Sequence, residues 1–440
     1  MIRRAGTALP GLAILAAVLV MPALVAAVLV AAVGRGSLVA AEPAPVPPGI
    51  TPADWPWWRG PTHDGHAAAG QQVPLSWSDE ENVLWTAAVP GRGSSSPTVV
   101  GDRVYLTTCD ERAGSQSVLA FDRLTGGEAW RKEVHASGAM RKNERSTGAS
   151  GSVACDGRRL FAAFPTSDAV FITALTLDGE QVWQVRLCDY AIHQGYGASP
   201  LVHGDTVIVV ADHKGGGAVA ALDRATGATV WRKERPPMPN YSSPVVLRLH
   251  GREQLVLTGC DKVVSLDPAS GATLWERAGA TTECVTTPVT DGTRVFTSGG
   301  YPRNHVSAVH GDGSDVDWQN GDRVYVPSLL VHDGHLYAVL DAGVAACWDA
   351  ATGAEKWKHR LGGNFSASPV LLGDTIFATA ENGVTHLFRA RPDAFEAIGA
   401  NAVGDEAFAT PTICGGRIYL RVAAGRGAER REKLVCIGRP

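Results

Sequence analysis

Two short histidine motifs carry the residue types best suited to metal chemistry. Residues 63–66 and 332–335 both read HDGH, which places two imidazoles near a carboxylate, and these groups are common zinc ligands. Residues 332–335 fall in the same turn as the Gly-Asp pairs at 101–102 and 204–205, so we interpret the motif as turn chemistry. The sequence contains no Gly-Lys-Ser/Thr phosphate loop and no Gly-x-Ser-x-Gly nucleophile elbow. We therefore predict no metal site and no catalytic residue.

A second set of polar and aromatic residues precedes a series of Ser-Pro and Thr-Pro strand starts. Such groups hydrogen-bond to and stack on polar ligands or peptides when a fold gathers them around one opening. The opposing interpretation is that loop residues are polar in any case. Our first candidates for ligand binding are Arg145, His193, Tyr241 and Glu283, followed by Arg92, Gln194, Tyr196, Arg323 and Asn364.

A tryptophan repeat defines the elements that must position these residues. Trp130, Trp183, Trp231, Trp275, Trp318 and Trp357 recur at intervals of roughly 40 to 50 residues, and Trp85 extends the series toward the N-terminus. The clearest copies read AFDRLTGGEAW, ALDRATGATVW, SLDPASGATLW and CWDAATGAEKW. Asp followed by Thr/Ser-Gly between apolar runs is typical of a hairpin turn, because Asp bonds to its own backbone and Gly adopts a positive φ. A small residue ten positions before each tryptophan leaves room for a neighbouring indole.

A second hairpin lies upstream of each tryptophan hairpin. It starts with Ser or Thr and usually Pro, then turns at Gly-Asp or Asp-Gly, as in SSPTVVGDRVYLTT and ASPVLLGDTIFATA. Proline is tolerated at a strand start because that residue need not donate to the ladder, and the alternating pattern favours strands over helices. Each repeat thus encodes four antiparallel strands.

These repeats predict an all-β, eight-bladed β-propeller. Strand starts lie at Pro97, Ser150-Gly151-Ser152, Pro200, Pro244, Pro288, Pro327, Pro369 and Pro411. The last unit lacks its own tryptophan hairpin, and residues 82–89 resemble an outer strand with no blade before it. We predict that this N-terminal strand completes the last blade and closes the ring. Seven blades are the alternative, because units 2 and 7 are degenerate.

The in-phase tryptophan motif resembles the tryptophan-docking motif of pyrroloquinoline-quinone-type (PQQ-type) propellers across residues 82–440, and WPWWRGP at 55–61 resembles an exported, unassigned subgroup. The superfamily includes quinoprotein dehydrogenases and the propeller lipoprotein of the outer-membrane barrel-assembly machinery. Resemblance to the dehydrogenases implies PQQ, calcium and a catalytic Asp. The sequence lacks the adjacent Cys-Cys pair that many of them contain, has no Cys-x-x-Cys-His haem motif and has few insertions to cover a cofactor. We assign no cofactor from the residues themselves; PQQ and calcium rest on the resemblance alone.

The N-terminus has the pattern of an export signal. Arg3 and Arg4 precede an apolar stretch over 8–33, and small residues end it at 39–41. The stretch is also long enough for a retained anchor. We therefore predict a signal peptide or membrane anchor over 1–41, a Pro/Gly/Trp-rich tether or wrapped extension over 42–81, and the propeller over 82–440.

Cysteines and charge narrow the functional classes. Eight cysteines are present, and Cys155–Cys188 and Cys414–Cys436 are candidate disulfides alongside the interpretation of buried free thiols. The net charge of −4 argues against a nucleic-acid partner.

We expect an exported, monomeric protein of the periplasm or cell envelope. It is predicted to be a non-catalytic binding or scaffold protein whose channel mouth binds a protein, carbohydrate or small polar ligand. The alternatives are a PQQ/calcium-dependent dehydrogenase and an outer-membrane assembly scaffold.

Overall fold

Alternating apolar residues and Gly-containing turns produce short antiparallel strands along the whole described chain. The computed structural model describes residues 47–136 and 146–440, and these form eight four-stranded antiparallel sheets. The middle strands are buried on both faces because each sheet packs between two neighbours, as in β3 and β4 (Arg103–Asp110 and Ser115–Asp122). Among these residues the helical structure is one 3₁₀ turn at Gly427–Glu429.

Seven blades are built from four consecutive strands each. Blade 1 contains β2 (Thr98–Val100), β3 (Arg103–Asp110), β4 (Ser115–Asp122) and β5 (Glu128–Ala136), and blade 2 contains β6 (Ala154–Cys155), β7 (Arg159–Pro165), β8 (Ala169–Thr176) and β9 (Gln181–Asp189). Blade 3 contains β10 (Leu201–His203), β11 (Thr206–Ala211), β12 (Gly217–Asp223) and β13 (Thr229–Arg235), and blade 4 contains β14 (Val245–Leu249), β15 (Arg252–Gly259), β16 (Lys262–Leu266) and β17 (Thr273–Ala278).

Blades 5 to 7 repeat the same order. Blade 5 contains β18 (Val289–Thr290), β19 (Arg294–Gly299), β20 (His305–His310) and β21 (Val316–Asn320). Blade 6 contains β22 (Leu330–His332), β23 (His335–Leu340), β24 (Val344–Asp349) and β25 (Glu355–Arg360), and blade 7 contains β26 (Val370–Leu372), β27 (Thr375–Thr379), β28 (Val384–Arg389) and β29 (Ala397–Ala402).

Blade 8 joins the two ends of the propeller. Its strands β30 (Thr412–Cys414), β31 (Arg417–Ala424) and β32 (Arg431–Gly438) are followed in the sheet by β1 (Val83–Val89). Strand β1 runs antiparallel to β32 from the Val83↔Ile437 pair to the Val89↔Glu432 pair. The prediction of eight blades closed by an N-terminal strand is confirmed, and the seven-blade alternative is wrong.

A nearly complete ring of hydroxyl groups links the starts of the blades. The backbone N–H of one member donates to the side-chain hydroxyl of the next at 2.9–3.0 Å in seven of the eight neighbouring pairs, including the closing pair from Thr410 to Ser96. The ring consists of Ser96, Ser152, Ser199, Ser243, Thr287, Ser328, Ser368 and Thr410. In blade 6 the ring member is Ser328, which follows Pro327 instead of preceding it. The hydroxyl therefore lies one residue after the predicted strand start in that blade. The Ser/Thr that precedes most entrance prolines therefore connects neighbouring blades.

The repeat tryptophans lie between blades. The indole N–H of Trp85 donates to the carbonyl of Arg123 in the β4–β5 turn of blade 1 at 3.2 Å, and Trp130, Trp183, Trp231, Trp318 and Trp357 donate to carbonyls in the equivalent turn of the following blade. Trp275 donates to the Gln254 side chain within blade 4 instead. The turn glycine packs against the indole, because a Cβ at Gly126 would lie 2.5 Å from Trp85 Cε3.

The extension before β1 enters the centre of the propeller. Trp55 exchanges two backbone hydrogen bonds with Val99 of β2 at 2.7 and 2.9 Å, and the carbonyl of Pro56 accepts from Cys155 of β6. Farther along, Gly65 and Ala67 bond to the backbone of Leu371 in β26. Residues 55–67 therefore bridge the innermost strands of blades 1, 2 and 7, which identifies this extension as a plug rather than a free tether.

Two side chains of the plug bond deep within the channel. The indole N–H of Trp58 donates to Thr287 Oγ1 of the hydroxyl ring at 2.8 Å. Arg59 is 1% exposed, and its guanidinium donates to the carbonyls of Asp64, Leu329 and Pro369. Burial lowers the pKa of Arg59 to about 10, while the Asp64 charge acts in the opposite direction. The plug thus closes the channel with aromatic rings and a carbonyl-bound cation.

Several sequence-based predictions fall outside the described residues or are changed by the structure. The export segment over 1–41 and the candidate Arg145 lie outside residues 47–136 and 146–440. Within those ranges no helix is long and apolar enough to cross a membrane. All eight cysteines are free, so the candidate disulfides Cys155–Cys188 and Cys414–Cys436 are not formed. These thiols mainly fill the core, where burial raises the pKa of Cys414 to about 12.

Candidate functional site

Three of the four leading candidates meet at the channel mouth opposite the plug. The loops that lead into β10, β14 and β18 carry His193, Tyr241 and Glu283, and the loop into β22 adds Tyr325. These loops converge because every outermost strand must return to the channel before the next blade begins. The Glu283 side chain is the centre of this group, which we name the mouth cluster.

Glu283 is buried and bonded on both carboxylate oxygens. His193 Nε2 lies 3.5 Å from Glu283 Oε1, and the hydroxyl of Tyr325 donates to Oε2 at 3.2 Å. The Glu283 backbone N–H donates to the carbonyl of Tyr301 at 3.3 Å. A carboxylate that is only 5% exposed requires such partners, because an unpaired buried charge is costly.

Burial and the Glu283 charge set the protonation of the neighbouring phenols. Desolvation raises the pKa of Tyr241 and of Tyr325, and the charge on Glu283 raises both further. Both hydroxyls are therefore protonated at neutral pH and can donate hydrogen bonds. The Tyr325 hydroxyl donates to Glu283, the Tyr241 hydroxyl is buried, and neither phenol is an activated nucleophile.

The remaining candidates occupy different environments. Arg323 is exposed beside the cluster, with its guanidinium carbon 5.1 Å from the centre of the Tyr325 ring, and Gln194 is half-buried. Arg92 lies 3.8 Å from Glu111 in blade 1, and Asn364 is exposed before blade 7. Tyr196 is 5% exposed, and its hydroxyl donates to the carbonyl of Val210 at 2.9 Å, so this group is already bonded inside blade 3.

Sequence reasoning missed a loop that borders the cluster. Residues 301–304, which read Tyr-Pro-Arg-Asn between β19 and β20, are all exposed. The Gly-Gly-Tyr-Pro run at 299–302 signals a turn, but the sequence does not indicate that this turn reaches the loop carrying Arg323. The contact depends on how blades 5 and 6 pack.

The two histidine motifs approach each other at the plug. The rings of His66 and His332 lie edge to face with centres 6.3 Å apart, and His66 Nδ1 lies 3.2 Å from Asp64 Oδ2. His335 Nδ1 contacts the carbonyl of Asp333 within the predicted turn. Throughout the part of the chain that the structure describes, no group of three or more His, Cys, Asp or Glu side chains is arranged to hold a metal ion.

The mouth cluster does not match the requirements of a calcium-bound quinone. A calcium ion takes six to eight oxygen ligands, usually with several carboxylates. Here Glu283 is surrounded by an imidazole and a phenol that already engage its two oxygens. The residues present therefore do not fit the cofactor pair implied by the resemblance.

Sequence comparison finds relatives that are named for different functions. A family profile described as outer membrane protein assembly factor BamB matches residues 63–140, 114–332 and 302–391. A polyvinylalcohol dehydrogenase from a Pseudomonas species is 25% identical over 207 residues, which cover 43% of this chain and 30% of that protein. The BamB protein of Moranella endobia is 23% identical over 347 residues, covering 75% of this chain and 83% of that protein. The chain thus spans less than a third of the dehydrogenase and most of this BamB relative.

Solved structures show the same architecture. Quinohemoprotein alcohol dehydrogenase from Comamonas testosteroni superimposes with a TM-score of 0.65 at 13% identity, covering 88% of this chain and 81% of that one. BamB from Moraxella catarrhalis superimposes with a TM-score of 0.55 at 16% identity, covering 80% and 96%. At identities this low, the superpositions establish a shared propeller fold and nothing further. That fold hosts both catalytic and non-catalytic proteins.

Proposed function

Because the chain belongs to the family described as outer membrane protein assembly factor BamB, we propose that it is a non-catalytic scaffold of the cell envelope that binds a protein partner at its channel mouth. The observation that carries this proposal is the mouth cluster, in which loops before four successive blades bring His193, Tyr241, Glu283 and Tyr325 to one surface. Tyrosine is enriched at the centres of protein interfaces because it combines apolar area with a polar end.

The plug supports the choice of this mouth over the opposite one. Residues 55–67 bond to inner strands of blades 1, 2 and 7, and Trp58 reaches blade 5. A partner that enters the channel from that side would have to displace these bonds, whereas binding at the mouth cluster requires no such rearrangement. Binding at the mouth cluster therefore avoids a conformational penalty.

Site-specific photocrosslinking in the native organism tests the proposal. A photoreactive residue at Asn364, which is exposed at the mouth, is expected to crosslink a discrete envelope protein. The same residue at Arg158, which is exposed in the β6–β7 turn on the plug side, serves as the matched control. Glu283→Gln should weaken the Asn364 crosslink by disturbing His193 and Tyr325. No crosslink, or equal crosslinks at both positions, would refute the proposal.

Affinity purification addresses the assembly-factor form of the proposal. If the protein acts as its BamB relatives are named to do, a mild crosslink should recover components of an outer-membrane protein assembly complex. Recovery of a different envelope protein through the mouth would retain the scaffold function and exclude this assignment.

The dehydrogenase alternative makes a separate prediction. It requires PQQ and calcium, so titration of the purified protein with both should produce a stoichiometric shift in quinone absorbance. We expect no shift, because Glu283 is already engaged on both oxygens. A saturable shift accompanied by alcohol oxidation would overturn the scaffold proposal.

Export is part of the same proposal. The apolar segment over 8–33 is proposed to direct the chain across the inner membrane, either as a cleaved signal or as a retained anchor. Separation of native cells into cytosolic, periplasmic and membrane fractions tests this. Recovery of the protein in the cytosol at its full length would contradict it.

A further inference from the structure

A prominent aromatic side chain stands beside the mouth cluster. Tyr301 is 55% exposed, and the residues that follow it, Pro302, Arg303 and Asn304, are exposed as well. Tyrosine and arginine are enriched among the residues that contribute most to binding at protein interfaces. Together with Arg323 and Tyr325 from the next loop, Tyr301 and Arg303 form what we name the arginine–tyrosine patch.

The patch is held in place before any partner binds. Arg323 Nη1 donates to the carbonyl of Gly300 at 2.9 Å and to Asn304 Oδ1 at 3.4 Å. The carbonyl of Tyr301 accepts from the backbone of Glu283. Gly300 packs so closely that a Cβ there would lie 2.6 Å from Tyr325 Cβ. A preorganised loop loses less conformational entropy on binding than a free one.

Within the described residues the two arginines of the patch are not held in ion pairs, and the charge of Arg323 acts on the nearby Asp341 carboxylate without a hydrogen bond to it. In the described ranges, 47–136 and 146–440, neither Arg303 nor Arg323 forms an ion pair, and Nε and Nη2 of Arg323 make no hydrogen bond. The neighbouring carboxylates are engaged elsewhere: Glu283 with His193 and Tyr325, and Asp341 with the Tyr325 backbone N–H at 2.7 Å. Two guanidinium groups thus face solvent with donors to spare.

We propose that the partner binds through an acidic segment whose carboxylates contact Arg303 and Arg323 while an adjacent apolar or aromatic side chain packs on Tyr301. This inference rests on the proposed scaffold function and specifies the chemistry of its partner. The planar fork of arginine matches a carboxylate through two parallel hydrogen bonds. Two arginines are fewer than the four to eight basic residues typical of an anionic membrane-binding cluster, so the patch favours a peptide over a lipid surface.

Fluorescence anisotropy with the exported full-length chain tests the inference. The probe is a labelled synthetic peptide of Asp, Glu and Phe, and its control is a neutral twin in which Asn and Gln replace the acids. The acidic peptide is expected to bind, with affinity falling as salt is raised, and the neutral twin is expected not to bind. Equal binding of the two peptides would overturn the inference.

Charge reversal locates the binding site. Arg303 makes no ion pair or hydrogen bond within the described chain, so the Arg303→Glu variant should fold normally. Its affinity for the acidic peptide should be lower by about 10-fold or more. Tyr301→Ser should also weaken it, whereas Tyr301→Phe should retain most of the affinity. Arg158→Glu on the plug side carries the same charge change and should leave affinity unaltered. Unchanged binding by Arg303→Glu would refute the proposed site.

Two further outcomes separate this inference from the scaffold proposal. If a partner crosslinks at Asn364 and Arg303→Glu leaves that crosslink intact, the acidic-segment inference fails and the scaffold proposal stands. If no partner crosslinks, the scaffold proposal fails, and peptide anisotropy still decides whether the patch binds acidic chains. Arginine-dependent binding to vesicles containing anionic phosphatidylglycerol, with none to the peptide, would identify a membrane surface and overturn the inference.

Discussion

A single methyl group at Gly126 tests the contact that closes the ring. Trp85 lies on β1, the strand that completes blade 8, and its indole packs on the β4–β5 turn of blade 1. Gly126 in that turn has a φ of +74°, and an added Cβ would lie 2.5 Å from Trp85 Cε3. Gly126→Ala therefore challenges both the backbone conformation and the packing between the first and last blades.

The two contributions can be separated with Gly101→Ala. Gly101 has a φ of +57° in the β2–β3 turn, and a Cβ added there would have nothing within 4 Å of it. Alanine in the left-handed region costs about 1–2 kcal/mol, and that is the full cost expected at Gly101. Overpacking against Trp85 adds about 1–3 kcal/mol. The loss of unfolding free energy should therefore be about 1–3 kcal/mol larger for Gly126→Ala than for Gly101→Ala.

Urea unfolding followed by far-ultraviolet circular dichroism measures this difference. Trp85→Leu provides the decisive background, because it removes most of the indole and should reduce the cost of Gly126→Ala to that of Gly101→Ala. Equal destabilisation by Gly126→Ala and Gly101→Ala in the wild-type background would refute the proposed packing role of Trp85.

Three further predictions concern the plug, a buried histidine and the thiols. Trp58→Phe keeps an aromatic ring but loses the hydrogen bond to Thr287, so we expect a loss of about 1 kcal/mol and faster proteolysis of the extension; an unchanged digestion rate would contradict this. Burial lowers the pKa of His305 from 6.5 to about 4, so the unfolded chain binds a proton that the folded chain does not, and unfolding free energy should fall as pH decreases from 6.5 toward 4. His305→Met should reduce that pH dependence, and an identical profile would argue against it. Titration with a thiol reagent should detect eight thiols after unfolding without reductant; a smaller number would indicate a disulfide.

The mouth cluster was only partly predictable from sequence. Its members precede successive strand starts, and topology places such positions at one mouth, which is how His193, Tyr241 and Glu283 could be selected. Their individual environments could not be deduced. Tyr196 occupies the same kind of position, yet its hydroxyl turns inward to Val210. Tyr301 lies in the β19–β20 loop within blade 5, and not in a loop that precedes a blade.

The extension illustrates the same limit from another direction. Trp55, Trp57 and Trp58 argue against a wholly disordered tether over residues 42–81, but the sequence does not indicate what these residues pack on. Only the assembled ring provides the inner-strand edges at Val99 and Leu371 and the buried carbonyls that bind Arg59. No local sequence signal corresponds to a channel formed by eight separate blades.

The sequence by itself determined the repeated hairpins and the closing strand and favoured eight blades over seven, because turn chemistry and alternating hydrophobicity act over a few residues and recur in phase. Tertiary structure alone decided which loop side chains meet, which hydroxyls join neighbouring blades and what fills the channel. Those contacts join residues from different blades, as between Thr410 and Ser96, and they exist only after the ring has closed.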